Sequence, residues 1–163
     1  MSKHSLIPWL GHTAPQANVR RHLAPLVRNW FAEGRQAAEP ERTPDELHQF
    51  RLATKRIRYT LELFRPLYGP GLKTRIETLR QIQDVLGTAN DYRVTAEGLE
   101  SRARRDPALQ PIVERLESRA AHFREEFRQL WRQKLALPSV ETRWVNYVRR
   151  NTKPAQAPQT STQ

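Results

Sequence analysis

The sequence predicts an all-α fold, an antiparallel helical bundle of about four to five helices. Apolar residues recur at intervals of three and four along most of the chain, which places them on one face of an α-helix. No segment alternates apolar and polar residues in the way a half-buried strand does. Breaks that contain Pro and Gly separate the helical segments, so consecutive helices should fold back on one another around one core.

The charge and the Cys content of the sequence indicate which kinds of partner the protein can bind. The 163 residues include 28 Lys and Arg against 17 Asp and Glu, and the formal net charge is +11. Most of the excess is Arg, which suits bidentate contacts to oxyanions, so phosphate-rich partners are favoured. The absence of Cys excludes disulfides, thiolate nucleophiles and Cys-ligated metals, and we expect no cofactor and no metal. With no bilayer-spanning stretch and no signal peptide, we expect a soluble, cytoplasmic protein without membrane contact.

Three regions are expected along the chain. Residues 1–15 form a flexible N-terminal arm, residues 16–137 the helical bundle, and residues 138–163 a C-terminal tail that is largely disordered from about residue 152. The first helix spans about residues 16–38, and Pro25 should kink it.

The second helix has the clearest start signal. Thr43 is the expected N-cap, Pro44 occupies the first turn, and Glu46 lies three residues after the cap, where it completes a capping box. The helix should run to about Leu67 and end at the break over residues 68–71.

Three further helical segments follow. The third helix begins near Leu72, and residues 87–91 should form a kink or short turn after Leu86. A fourth helix leads to about Arg105, and a last long helix ends at Pro138.

Side chains of the second helix sort into stripes at about 100° per residue. An apolar seam comprises Leu47, Phe50, Thr54, Ile57, Leu61 and Phe64. A basic row, each member one position after a seam residue, comprises His48, Arg51, Lys55 and Arg58. A second apolar strip beyond the row comprises Leu52, Tyr59 and Leu63, and the face left to water comprises Gln49, Ala53, Arg56 and Thr60.

The position of the basic row suggests a binding surface. Apolar strips on both sides should be covered by other helices, which would leave the row in a cleft, although a wide groove open to water would also fit. Several like charges held there require an anion. Lys73 and Arg80 on the next helix could add a second bank of charge, and Glu62 should hold Arg58 or Arg65 through an ion pair.

Two segments in this order resemble the CHAD family, the conserved histidine α-helical domain. They are LHQFRLATKRIRYTLELF and LKTRIETLRQIQDVLGTANDYRV, and the resemblance covers roughly residues 43–95. It implies an all-helical domain that binds inorganic polyphosphate through a central basic channel, often at polyphosphate granules. The residues that match the first motif are His48, Arg51, Lys55, Arg56 and Arg58. Those that match the second, with a role that looks more structural, are Gln83, Leu86, Gly87 and Asp91.

The chain carries only one such motif, where the family usually has two related units that face each other across the channel. It therefore resembles one half of that architecture. We expect a homodimer that rebuilds the channel, at working concentration or in the presence of a polyanion. The alternative is a single unit with an open basic groove.

The predicted function is non-enzymatic binding of polyphosphate, as a granule-associated binding or scaffold protein. Neither a P-loop nor a paired acidic motif for Mg²⁺ occurs, so catalysis is not expected. The alternatives are a nucleic-acid-binding module, which the charge fits equally well, and a domain that docks an acidic protein partner.

Overall fold

The helices form an all-α bundle, as predicted from the periodicity. The computed structural model describes the backbone of residues 15–150 and the side chains of residues 21–149. Within that part of the chain no strand occurs, and no helix has both the length and the apolar composition to cross a membrane. The helices are α1 (Pro15–Ala37), α2 (Pro44–Leu63), α3 (Gly71–Ala103), α4 (Gln110–Lys134) and α5 (Val140–Arg150), with short 3-10 turns at Arg65–Leu67 and Pro107–Leu109.

The predicted capping box at the start of α2 is confirmed. The Glu46 backbone N–H donates to the Thr43 hydroxyl at 3.2 Å, and the Thr43 backbone N–H donates to the Glu46 carboxylate at 2.8 Å. The Thr43 N–H and the Arg42 guanidinium together lower the pKa of Glu46. These bonds satisfy donors that the first turn of a helix otherwise leaves free. The α2 helix therefore begins at a position that the local sequence dictates.

The expected interruption over residues 87–91 is wrong, because α3 continues without a break from Gly71 to Ala103. A glycine inside a helix costs about 1 kcal/mol relative to alanine, which packing can outweigh. Leu86 and Ala89 on either side of this glycine are buried, and α3 lies against α4 along much of its length. The far ends of α3 and α4 share a small second core built around Ala96, Ala103 and Val113.

The tail expected from residue 138 onward begins instead with a packed helix. In α5, Trp144, Val145 and Val148 are buried in the main core. The Trp144 ring stacks on Trp30 of α1 at 5.6 Å between centroids, and the Arg75 guanidinium of α3 lies 3.9 Å from the Tyr147 ring centroid. The bundle therefore extends to residue 150, and the predicted arm and distal tail fall largely outside the described residues.

Aromatic side chains fill the centre of the bundle. Trp30 of α1 contacts the rings of Phe31, Phe50, Trp131 and Trp144. Its indole N–H donates to the hydroxyl of Thr54 on α2 at 3.0 Å, and that hydroxyl donates to the Phe50 carbonyl at 2.9 Å. The one polar member of the predicted seam is therefore satisfied inside the core. The α1 helix continues through Pro25 on both sides.

Because Trp144 joins α5 to the aromatic core, Trp144→Ala should lower the free energy of unfolding by about 3–5 kcal/mol. Urea denaturation followed by circular dichroism measures the change. Thr142→Ala, at an exposed position of the same helix, is the matched control and should change stability by about 0.5 kcal/mol or less. Equal effects of the two substitutions would contradict the docking of α5.

Candidate anion-binding groove

Burial of the α2 seam determines which way the basic row faces. Leu47, Phe50, Thr54, Ile57 and Leu61 are all buried, and Phe64 is partly buried, as the helical period predicts. Residues one position later are rotated by about 100°, which turns them toward α3. The antiparallel pairing of α2 and α3 then sets which α3 residue lies opposite each member of the row.

Arg51 lies over the glycine of the second motif. A Cβ atom at Gly87 would be 3.5 Å from the Arg51 Nε, so the absence of a longer side chain there leaves space for the guanidinium. Arg51 is half-buried, its Nε is shielded from solvent without a hydrogen-bond partner, and it forms no ion pair with any residue in 21–149. Gly87 therefore lies directly under a cation that has no ion pair in the described residues.

His48, one turn before Arg51, lines the same side of α2. It is half-buried, and its Nδ1 is shielded from solvent with no partner in the described chain. Lys55, one turn after Arg51, is exposed, and its ammonium lies 5.8 Å from the Tyr59 ring centroid. His48, Arg51 and Lys55 thus form a continuous set of donors without carboxylate partners.

Arg58 differs from the rest of the row because its charge is paired. Its side chain is only 11% exposed. One terminal nitrogen donates to Glu62 at 2.6 Å, and its Nε donates to Gln83 at 2.9 Å. The guanidinium also lies 4.3 Å from the Tyr59 ring centroid. The expected ion pair with Glu62 is confirmed, and Gln83 of the second motif helps to hold the arginine on α3.

The remaining predicted site residues lie at the edges of this surface or outside it. Arg80 reaches Glu77 at 2.9 Å and Glu62 at 3.6 Å, so it borders the Arg58 end with its charge paired. Lys73 is exposed two turns before Arg80 on α3. Arg56 is exposed on the other side of α2, where it faces a hollow near Arg42, as its position on the helical wheel predicts.

The enclosed cleft expected around the row is absent from the described residues. Tyr59 is 49% and Leu63 is 73% exposed, so much of the second apolar strip has no covering helix. Ala53, expected to face water, is buried instead. The reason is tertiary: α1, α3 and α4 pack against the seam side of α2. Beside the row lies α3, joined by α4 only at the His48 end. In the part of the chain that the structure describes, the surface is an open groove.

Two basic residues near His48 were not predicted. Arg93 of α3 and Arg124 of α4 line a hollow with His48 at the start of α2. Each directly follows an aromatic residue that packs between α3 and α4, Tyr92 and Phe123, whose rings stack at 5.7 Å. Arg51 likewise follows a packed aromatic residue, Phe50. This sequence pattern, a cation one position after a packed residue, could therefore have indicated Arg93 and Arg124.

The groove is suited to binding anions. Arginine remains protonated at neutral pH and offers several N–H donors in a plane. Burial, together with the positive charges of Arg128 and Arg93, lowers the pKa of Arg124. Within residues 15–150 no cluster of His, Cys, Asp and Glu side chains could hold a metal ion. A bound anion would relieve the repulsion among these cations.

The contact of Arg51 with Gly87 can be tested by substitutions at Gly87 and at Gly98, a second glycine of α3. Gly87→Ala and Gly98→Ala should each raise the free energy of unfolding by up to about 1 kcal/mol, because alanine favours the helix and a Cβ fits at both positions. Leucine should separate the sites: Gly98→Leu meets nothing within 4 Å of its Cβ, whereas Gly87→Leu must displace Arg51. Urea denaturation should show Gly87→Leu less stable than Gly87→Ala by about 1–3 kcal/mol. Equal stability of the leucine and alanine variants at both positions would refute the contact between Arg51 and Gly87.

Comparison with known proteins bears on the identity of this fold. A family model described as the CHAD domain matches residues 3–100, more than half of the chain. The match includes α1, α2 and most of α3, and so both motifs that pair Arg51 with Gly87 and Arg58 with Gln83. No curated protein and no solved structure matches the sequence. The chain belongs to the CHAD-domain family.

Proposed function

We propose that the chain binds inorganic polyphosphate along the basic row of α2 and acts without catalysis, as a binding or scaffold protein at polyphosphate granules. CHAD domains are associated with polyphosphate-related proteins, which supports this choice among phosphate-rich ligands. The observation that carries the proposal is Arg51, a half-buried cation on a glycine seat with no carboxylate partner in residues 21–149.

The groove dimensions fit a linear chain of phosphates. From His48 to Arg58 the row extends about 15 Å along the helix axis at 1.5 Å per residue. Arg51 can offer two parallel N–H donors, and Lys55 adds a mobile point charge. Because Tyr59 and Leu63 are exposed, the groove is open along one side, so a long flexible polyanion can enter it without threading.

Two other partners remain as alternatives. Nucleic acid would satisfy the same charges, but a base-stacking surface needs exposed aromatic rings. In residues 21–149 the Trp side chains are buried, and Arg58 lies against the half-exposed ring of Tyr59. An acidic protein partner is the second alternative. Displacement of bound DNA or RNA by polyphosphate at a much lower phosphate concentration than the reverse exchange would favour polyphosphate over nucleic acid.

The oligomeric state determines whether the single basic motif forms an open groove or part of a channel. We expect a homodimer that joins two grooves into a channel, because the chain carries one motif where the family usually has two, and a monomer with an open groove is the alternative. Light scattering with and without polyphosphate distinguishes them, since only the dimer doubles the mass.

Polyphosphate should bind without added Mg²⁺, and the logarithm of the association constant should fall linearly as the logarithm of the salt concentration rises. The physical reason is release of counterions from the polyanion when Arg and Lys neutralise its phosphates. Fluorescence anisotropy of labelled polyphosphate at several NaCl concentrations measures the slope. A requirement for Mg²⁺, or an affinity that does not change with salt concentration, would refute electrostatic binding of polyphosphate in the groove.

Charge-matched variants separate the groove from general basicity. Arg51→Gln should weaken polyphosphate binding by about 1 kcal/mol or more and reduce the salt slope, since it removes an unpaired groove cation. Arg56→Gln removes the same charge from the other side of α2 and should cost much less. Circular dichroism should show unchanged helix content in both variants. Equal losses of affinity would mean that the ligand contacts a broader basic surface.

A further inference from the structure

A small hollow, partly open to solvent, lies at the end of the basic row, where α2, α3 and α4 meet. His48, Asn90, Arg93 and Arg124 provide its polar lining, and Leu86 and Ala89 form part of its apolar wall. Its size suits a single small group and not a drug-sized ligand. Arg124 lies outside the residues that match the family model.

The polar atoms in this hollow are only partly satisfied by the protein. The guanidinium of Arg93 donates to Glu97 at 2.6 Å and to the Asn90 side-chain oxygen at 3.2 Å, yet its Nε is shielded from solvent without a partner. The His48 Nδ1 is in the same condition. Arg124 forms no ion pair with any residue in 21–149, and its positive neighbours are Arg93 and Arg128. Three helices thus direct cationic or donor groups at one space.

The two ends of the row differ in charge balance. At the Arg58 end, Glu62 and Glu77 pair with Arg58 and Arg80. At the His48 end, Arg93 pairs with Glu97 at 2.6 Å and lies 3.7 Å from Asp45, whereas Arg124 forms no ion pair with any residue in 21–149. In the described residues, the hollow therefore has one arginine without an ion pair, Arg124, whereas both arginines at the other end are paired.

We propose that the hollow binds the terminal phosphate group of a linear polyphosphate, while the following phosphates lie along Arg51 and Lys55. This inference rests on the proposed function. A terminal phosphate has three non-bridging oxygens and, like a phosphate monoester, a charge approaching −2 at neutral pH. An internal phosphate has two such oxygens and a single charge. Donors from three helices match the terminal group, and the His48 end of the groove becomes a specific end site.

Linear tripolyphosphate and cyclic trimetaphosphate test the inference, because each has three phosphates and only the linear molecule has ends. Competition against labelled long-chain polyphosphate gives both affinities. The wild-type protein should prefer the linear molecule by about tenfold or more, the effect of one charge-assisted hydrogen bond. Arg124→Gln should remove most of that preference. Arg115→Gln, an exposed position on the same helix, removes the same charge and should leave the linear-to-cyclic ratio unchanged.

Other results of these experiments would overturn either the end site or the proposed binding of polyphosphate. Equal affinity of wild-type protein for the linear and cyclic molecules overturns the end site and leaves binding along the groove intact. The end site is also overturned if Arg124→Gln and Arg115→Gln lower the linear-to-cyclic affinity ratio equally. It is likewise overturned if inorganic phosphate competes as well as tripolyphosphate does. Failure of long-chain polyphosphate to bind at all overturns the proposed function instead. Because the first comparison uses unmodified protein, it does not depend on the folding of the variants.

Discussion

The rotation of α2 about its own axis is the constraint on which the groove depends. Burial of the seam from Leu47 to Leu61 sets that rotation, at roughly 1.5–3 kcal/mol for each large apolar side chain removed from water. The hydrogen bond from the Trp30 indole to Thr54 adds a directional restraint at the centre of the helix. A core of apolar contacts alone tolerates small rotations, whereas a buried donor without its acceptor is costly. The basic row faces α3 because the seam faces the core.

The α3 helix converts that orientation into a shaped surface. Gly87 leaves space under Arg51, and Gln83 accepts a hydrogen bond from Arg58, so the second motif serves the first across the helix pair. Continuity of α3 matters here, since a break after Leu86 would separate Gln83 from Gly87 and Arg93. The small core around Ala96 and its neighbours supports the far half of the helix. Residues of α4 can then reach the groove.

The contrast between Arg51 and Arg58 divides the basic row into two kinds of cation. Arg58 is held by a carboxylate, an amide and an aromatic ring, which lock the guanidinium in place and leave it fewer free donors. Arg51 also lies against α3, over Gly87, but forms no ion pair with any residue in 21–149. Such a cation is unfavourable in the free protein, and an arriving anion recovers the cost. Paired charges shape the surface, and in the proposed function the unpaired charges would supply the affinity.

The sequence by itself determined what depends on neighbours within about four residues: the all-α class, the capping box of α2, its seam, and the basic row beside it. Capping and helical periodicity are local, so Thr43, Glu46 and the spacing of Phe50, Thr54 and Ile57 were sufficient evidence. Only the tertiary structure decided which apolar strips are covered. Leu63 is exposed and Trp144 is buried although both are apolar residues on amphipathic helices, because the placement of other helices is a long-range property. For the same reason, α3 runs through Gly87, and Arg93 and Arg124 meet His48: the free energy of packing, summed over distant contacts, outweighs the local signals that suggested a turn and a solvated surface.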